Sequence, residues 1–232
     1  MAKHRLFLAA PSGADRAAFR QDVLSRVGPG LRQAVPALEA LSVDLVDATP
    51  EQPPWQRPGE PAATVEPAFD AVLDLWGDPV VLDDALGWVG AAAGDPLHAS
   101  ARVIETVEKD ALPRPAGQVA PGVKFLSLMT FHDDLPPAVA QRLWAHHAGL
   151  ALRVHVGMAR YVRDWVAELA PPALPVPRFQ GIAELHFPSV EAMTAHWFDS
   201  EAGRAAIVHD VGHFLARATR LYTTEHVLKA PG

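Results

Sequence analysis

The period of the apolar positions changes repeatedly along this 232-residue chain, and it does so in the same order twice. Residues 5–9, 101–108, 123–131 and 219–228 read as strands, whereas 14–27, 78–93, 137–156 and the stretch from Ser189 onward follow helical spacing. Between them, Phe69-Asp70-Ala71-Val72-Leu73-Asp74-Leu75-Trp76 lines up with Phe179-Gln180-Gly181-Ile182-Ala183-Glu184-Leu185-His186, with an acid, a leucine and a ring in matching places. Each half therefore predicts the order β-α-β-β-α-β, the split βαβ arrangement of an α+β protein. A sheet covered by helices on one face must bury the other, so the two halves are expected to pack sheet to sheet.

Proline marks the divisions. Residues 49–67, with Pro53-Pro54 and Pro58-Gly59, and 113–121, with Pro113-Arg114-Pro115 and Pro121-Gly122, predict exposed loops or linkers. The second divides the chain into 1–112 and 122–232, with 113–121 as linker. At the helix starts, Asp133-Asp134 ahead of Pro136-Pro137 and Ser189 ahead of Val190 offer capping oxygens.

Composition narrows the chemistry. Without cysteine, thiolate nucleophiles, disulfides, Fe–S clusters and thiolate zinc sites are excluded. A net charge of −7 with scattered Lys and Arg carries no footprint for nucleic acid. The apolar run after Arg5 stops at Pro11, which suits a first strand better than a secretory leader. No stretch approaches the ~18 apolar residues of a membrane span, so a cytoplasmic protein is expected. Gly28-Pro29-Gly30 lacks the third glycine of a dinucleotide fingerprint, and there is no Walker loop or Gly-x-Ser-x-Gly elbow. No cofactor is expected.

Nine of the eleven histidines lie between His132 and His226, which puts the candidate chemistry in the second half. On helix 137–156, Trp144, His147, Ala151 and His155 form one stripe, mixing an indole and two imidazoles where a structural face would carry aliphatics. In strand 181–187, Ile182, Glu184 and His186 share one face, and Ala183, Leu185 and Phe187 the other; which face meets the helices is left open. The spacing of His209 and His213 suits a metal on a helix, but it lacks a third ligand and the acid of His-Glu-x-x-His, so no metal is expected. His147, His186, His132 and Tyr161 are the candidate catalytic residues. Trp144, His155, Glu184, His196, Trp197, His213 and Phe214 are the candidate substrate contacts.

The second half resembles the EthD family of the dimeric α/β-barrel proteins. The resemblance is carried by His147-Ala148-Gly149-Leu150, Ala159-Arg160-Tyr161-Val162, Ala183-Glu184-Leu185-His186-Phe187 and Thr224-Glu225-His226-Val227. Gly149 and His186 stand where the family has proline and tryptophan, and the first half looks like a degenerate copy that keeps Asp74-Leu75-Trp76. The resemblance implies two ferredoxin-like halves forming an intrachain α/β barrel, with a pocket between sheet and helices for a small aromatic or other apolar ring compound. The function expected is a cofactor-independent lyase or isomerase of aromatic or polyketide-like compounds, acting by histidine general acid–base catalysis. The alternatives are a cofactor-free monooxygenase of a phenol and a non-catalytic aromatic-binding accessory protein. Neither nucleic acid nor membrane is an expected partner, and a homodimer is left open.

Overall fold

The computed structural model describes residues 2–50, 54, 67–92, 97–171 and 176–230. The first half runs β1 (Ala2–Leu8), α1 (Arg16–Asp22), a π-helical turn (Val23–Val27), α2 (Gly28–Ala34), β2 (Ala40–Leu45), β3 (Ala71–Gly77), α3 (Pro79–Ala92) and β4 (Leu97–Asp110). After a short β5 (Gln118–Val119), the second half runs β6 (Val123–Phe131), α4 (Pro137–Val154), β7 (Arg160–Ala170), β8 (Gly181–Phe187), α5 (Val190–His196), α6 (Glu201–Val211) and β9 (Leu215–Lys229). The β-α-β-β-α-β order occurs in both halves, and β3 and β8 occupy the same positions of the two aligned segments. The expected loop at 49–67 lies mostly outside the described residues.

The strands follow the order β2-β3-β1-β4-β7-β8-β6-β9, and β9 pairs with β2 to close an eight-stranded antiparallel barrel. The expected intrachain barrel is present, but its two sheets do not only face each other: they are hydrogen-bonded along two seams. β4 and β9, of 14 and 15 residues, outrun the other strands and present free backbone groups at the sheet edges. Pairing β4 with β7 and β9 with β2 satisfies those groups and abolishes the edges. The stretch 113–121 is likewise more than a linker, because β5 hydrogen-bonds to β9.

Period-two alternation sorts the side chains into three compartments. Leu6, Leu41, Val43, Leu73 and Leu75 pack outward on α1–α3, and Phe125, Ala183, Leu185 and Phe187 pack outward on α4–α6. Inside the barrel, one layer is apolar, with Phe7, Val72, Leu126, Leu128, Ile182 and Leu221. The other layer is ionic. Lys124 Nζ lies 2.9 Å from both Asp44 and Glu225 and 3.3 Å from Asp74, while Arg5 meets Asp164 at 2.7 Å and Glu184 at 2.5 Å. Lys3 bonds Asp164 at 3.0 Å, and Arg160 pairs with Glu184. Mutual burial of the sheets is therefore met only in part by hydrophobic packing, and the remainder depends on ion pairing among fully buried charges.

Candidate functional site

A cavity of about 280 Å³ opens between the outer face of the second-half sheet and the helices α4 and α6. The face left open by sequence is thereby settled: Ala183 and Leu185 line the cavity. The α4 stripe forms one wall, with Trp144, His147, Ala151 and His155 all contributing. That helix starts at Pro136 without a side-chain cap, so Asp133 and Asp134 do not cap it as expected. Ser189 does cap α5 through Ala192 N, and Ser200, which the sequence reading missed, caps α6 through Gly203 N. Trp144 can reach the sheet because Gly181 lies beneath it, where an added Cβ would come within 2.8 Å of the indole.

His147 holds the central polar contact. Its Nδ1 lies 2.7 Å from Asp210 Oδ2 on α6, and the edge of its ring meets Phe214 at 5.4 Å. A carboxylate only accepts, so Nδ1–H donates and Nε2 is left with its lone pair. Burial lowers the His147 pKa below the ordinary value, while the hydrogen bond and the negative charge of Asp210 oppose that shift. His155 sits deeper: burial takes it down to about 4, and its Nδ1 is tied to the Trp197 carbonyl at 2.5 Å. Tyr161 is pushed well above the usual phenol range by burial, against a hydrogen bond from Trp144, so it stays protonated at neutral pH. The cavity thus presents two neutral imidazoles and a phenol among aromatic walls that include Trp197 and Phe214.

Not every sequence-derived candidate converges here. Glu184 and His186 point into the barrel, because they alternate with Ala183 and Leu185 on the strand. There, burial drops His186 to about 3, and its Nδ1 is 3.8 Å from Glu225. His132 turns aside to the Gly212 carbonyl at 3.1 Å. His196 is exposed at the end of α5, and His213 is exposed just past α6, where its ring meets His209 at 4.8 Å. Among the described residues, no group of three or more His, Asp or Glu is arranged to hold a metal ion. Two residues of the site went unread in the sequence. Asp210 was hidden between His209 and His213, and its pairing with His147 depends on how α6 packs across α4. Arg220 lines the cavity from β9 and could have been found from strand alternation against Leu221.

The barrel places the chain among solved structures of the same fold. A protein described as anthrone oxidase-like matches 100% of this chain and 94% of its own at 11% identity, with a TM-score of 0.61. A mutant chlorite dismutase from Candidatus Nitrospira defluvii matches 98% and 92% at 8% identity, with a TM-score of 0.54. A dye-decolorizing peroxidase from Bacteroides thetaiotaomicron matches 96% and 92% at 12% identity, with a TM-score of 0.52. No curated protein matches the sequence. The family comparison is more specific: residues 132–218, which include the helices α4 and α6 at the cavity, are similar to the EthD domain.

Proposed function

We propose that the chain is an enzyme that takes a small apolar ring compound into the helix–sheet cavity and moves a proton on it with His147, as a lyase or isomerase. The observation that carries this reading is the His147–Asp210 pair at the wall of a largely apolar cavity. A neutral imidazole whose Nδ1–H is held by a carboxylate presents Nε2 as a base, and Asp210 stabilises the imidazolium formed when that base takes a proton. Burial keeps His147 unprotonated near neutral pH, so the base is ready without prior loss of a proton. The imidazolium then returns the proton to another ring position, which is isomerisation, or to a departing hydroxyl, which is dehydration. The protonated Tyr161 is a second hydrogen-bond donor at the same cavity. We read the site-bearing half as 122–232 and the first half as its diverged duplicate, on the strength of the matching β3 and β8 segments.

The test is proton exchange. The protein is incubated in D2O with cyclic ketones and phenols such as 2-tetralone and 2-naphthol, and loss of the exchangeable C–H signals is followed by NMR under air and under argon. Acceleration by the native protein, absent in His147→Gln and independent of oxygen, supports the reading. Equal rates for the two proteins remove His147 from the mechanism. Oxygen consumption with turnover that stops under argon converts the assignment to an oxygenase, whose first step is the same deprotonation.

A further inference from the structure

The wall that α4 gives to the cavity carries two imidazoles, and proton transfer by His147 uses one of them. His147 and His155 lie eight residues apart, roughly 12 Å along a helix axis, and on the stripe between them stands only the methyl group of Ala151. His155 is the C-cap of α4, and its Nδ1 lies 2.5 Å from the carbonyl of Trp197, the C-cap of α5. A carbonyl only accepts, so Nδ1–H donates, which fixes the tautomer and leaves Nε2 with its lone pair. Contacts with the Trp197 ring at 5.2 Å and the Phe198 ring at 5.6 Å hold the imidazole in that orientation. The lone pair has no use within the fold. No described residue hydrogen-bonds to Nε2, and although the residue is only 5% exposed, Nε2 is not one of the sealed, unpartnered polar atoms: it opens on the cavity that His155 lines.

We propose that His155 selects the ligand: the compound that enters is a two-ring system with a hydroxyl on the ring remote from the carbon that His147 deprotonates, and this hydroxyl donates to His155 Nε2. The proposal rests on the reading of this cavity as the site of proton transfer and names the class of substrate. Two fused rings with substituents at opposite ends suit the spacing of the two imidazoles, and a volume of about 280 Å³, at the small end of ligand pockets, leaves no room for a much larger skeleton. An ether, carbonyl or carboxylate oxygen in the same place would set lone pair against lone pair, so the acceptor admits a hydroxyl and rejects the others. Burial takes His155 down to about 4, against the Trp197 hydrogen bond and the Asp199 charge, so the ring does not turn into a donor at neutral pH. Between the Trp197 and Phe198 rings the hydroxyl has little water to bond instead, and a site whose buried acceptor is left unpaired discriminates against an analogue lacking the donor. The same bond fixes one orientation of the rings relative to His147, as a proton transfer at a single carbon requires.

The experiment is calorimetric titration at neutral pH with 2-tetralone, 6-hydroxy-2-tetralone and 6-methoxy-2-tetralone on the native protein and His155→Phe, with melting temperatures recorded for both. The expected result is at least tenfold tighter binding of the 6-hydroxy compound than of the other two by the native protein, and a ratio close to one in His155→Phe. Nitrogen NMR of histidine-labelled native protein adds a readout that a purely structural His155 would not move: the Nε2 resonance should shift upfield with the 6-hydroxy compound and stay in place with the 6-methoxy one. Equal affinities in the native protein, an unmoved Nε2 resonance, or a hydroxyl preference that survives His155→Phe overturns the proposal while leaving the cavity as a ring-binding site. If His155→Phe does not fold, the affinity ratio and the resonance of the native protein decide. Failure of all three compounds to bind overturns the ligand-site reading and this proposal with it. Deuterium exchange at C1 of the same compounds reports on His147 alone, so proton transfer and selection by His155 fail separately.

Discussion

Asp210 on α6 accepts a 2.7 Å hydrogen bond from His147 on α4, so the base and the group that orients it come from different helices joined across one wall of the cavity. The carboxylate raises the histidine pKa while burial, the larger influence, lowers it. In the free enzyme, the acid limb of kcat/KM should therefore fall below the ordinary histidine value. Asp210→Asn removes the raising influence, so that limb should move to still lower pH while the plateau drops roughly tenfold or more, because a weaker base transfers the proton less effectively. The pair is partly exposed, so the loss of stability should stay within about 1 kcal/mol. A pH–rate profile of the variant that overlays the native one would show that Asp210 does not tune the base.

Converting His147 itself separates chemistry from packing. As a proton-transfer group, it should cost roughly 10²–10⁴-fold in kcat on replacement by glutamine, which retains a polar side chain beside Asp210. A merely packed histidine would show its loss in melting temperature and leave turnover in place. Paired thermal and kinetic measurements on His147→Gln and His147→Ala check this. Wild-type turnover in a destabilised His147→Ala would assign the residue to packing alone.

The ionic layer of the barrel makes a prediction about stability. The fully buried acids Asp44, Asp74, Asp164, Glu184 and Glu225 outnumber the fully buried bases Lys3, Arg5, Lys124 and Arg160 by one, and the half-buried Glu105 and Arg114 leave that excess unchanged. Desolvation, with the neighbouring Asp74 and Glu225 charges, raises Asp44 to about 7 in spite of Lys124. A folded-state value above the unfolded one means that the native protein binds the extra proton. The associated stability is full below about pH 4 and is lost as pH rises to about 7, at no more than about 1.4 kcal/mol per pH unit for one proton. Asp44→Asn mimics the protonated acid, so its stability relative to the native protein should improve from pH 5 to pH 8. Denaturant unfolding at the two pH values reads this directly, and parallel losses in both proteins would show that Asp44 is ionised throughout.

The sequence is legible where one short-range rule decides the outcome. Period two placed β6 and β8 at their observed bounds, and period 3.6 found the α4 stripe, because each depends on residues a few positions apart. It was silent where the answer lay in long-range register. Glu184 and His186 read as partners of His147 until the barrel closed and took their face inside, where Arg5, Lys124 and Glu225 surround it. The seams β4–β7 and β2–β9 depend on strand length beyond the alternating cores, which composition does not mark. Asp210 became a partner of His147, 63 residues away along the chain, only through the packing of their two helices.

Gly181 ties the fold to the cavity in a way that a single methyl group can test. It opens β8 beneath Trp144, and an added Cβ would lie 2.8 Å from the indole, 3.0 Å from the Phe131 ring and 3.1 Å from the Met129 methyl. Phe131 cannot yield easily, because it is stacked on Trp165 with centroids 5.4 Å apart and also packs against Trp144 and Phe214. The indole must therefore move, and of the two hollows that it lines, one is the ring cavity and the other is bounded by Arg142, Arg163 and Trp165. Gly181→Ala should destabilise the protein by about 1–3 kcal/mol, the usual cost of overpacking a filled core. Because Trp144 is a wall of the ring site in either case, its displacement should lower affinity for a bound ring compound by more than the affinity changes in Gly87→Ala, a control on α3 where the added Cβ meets nothing within 4 Å. Melting curves and calorimetric titration with 2-naphthol compare the two variants. A Gly181→Ala protein with native stability and native affinity would mean that Trp144 is not the wall its position implies.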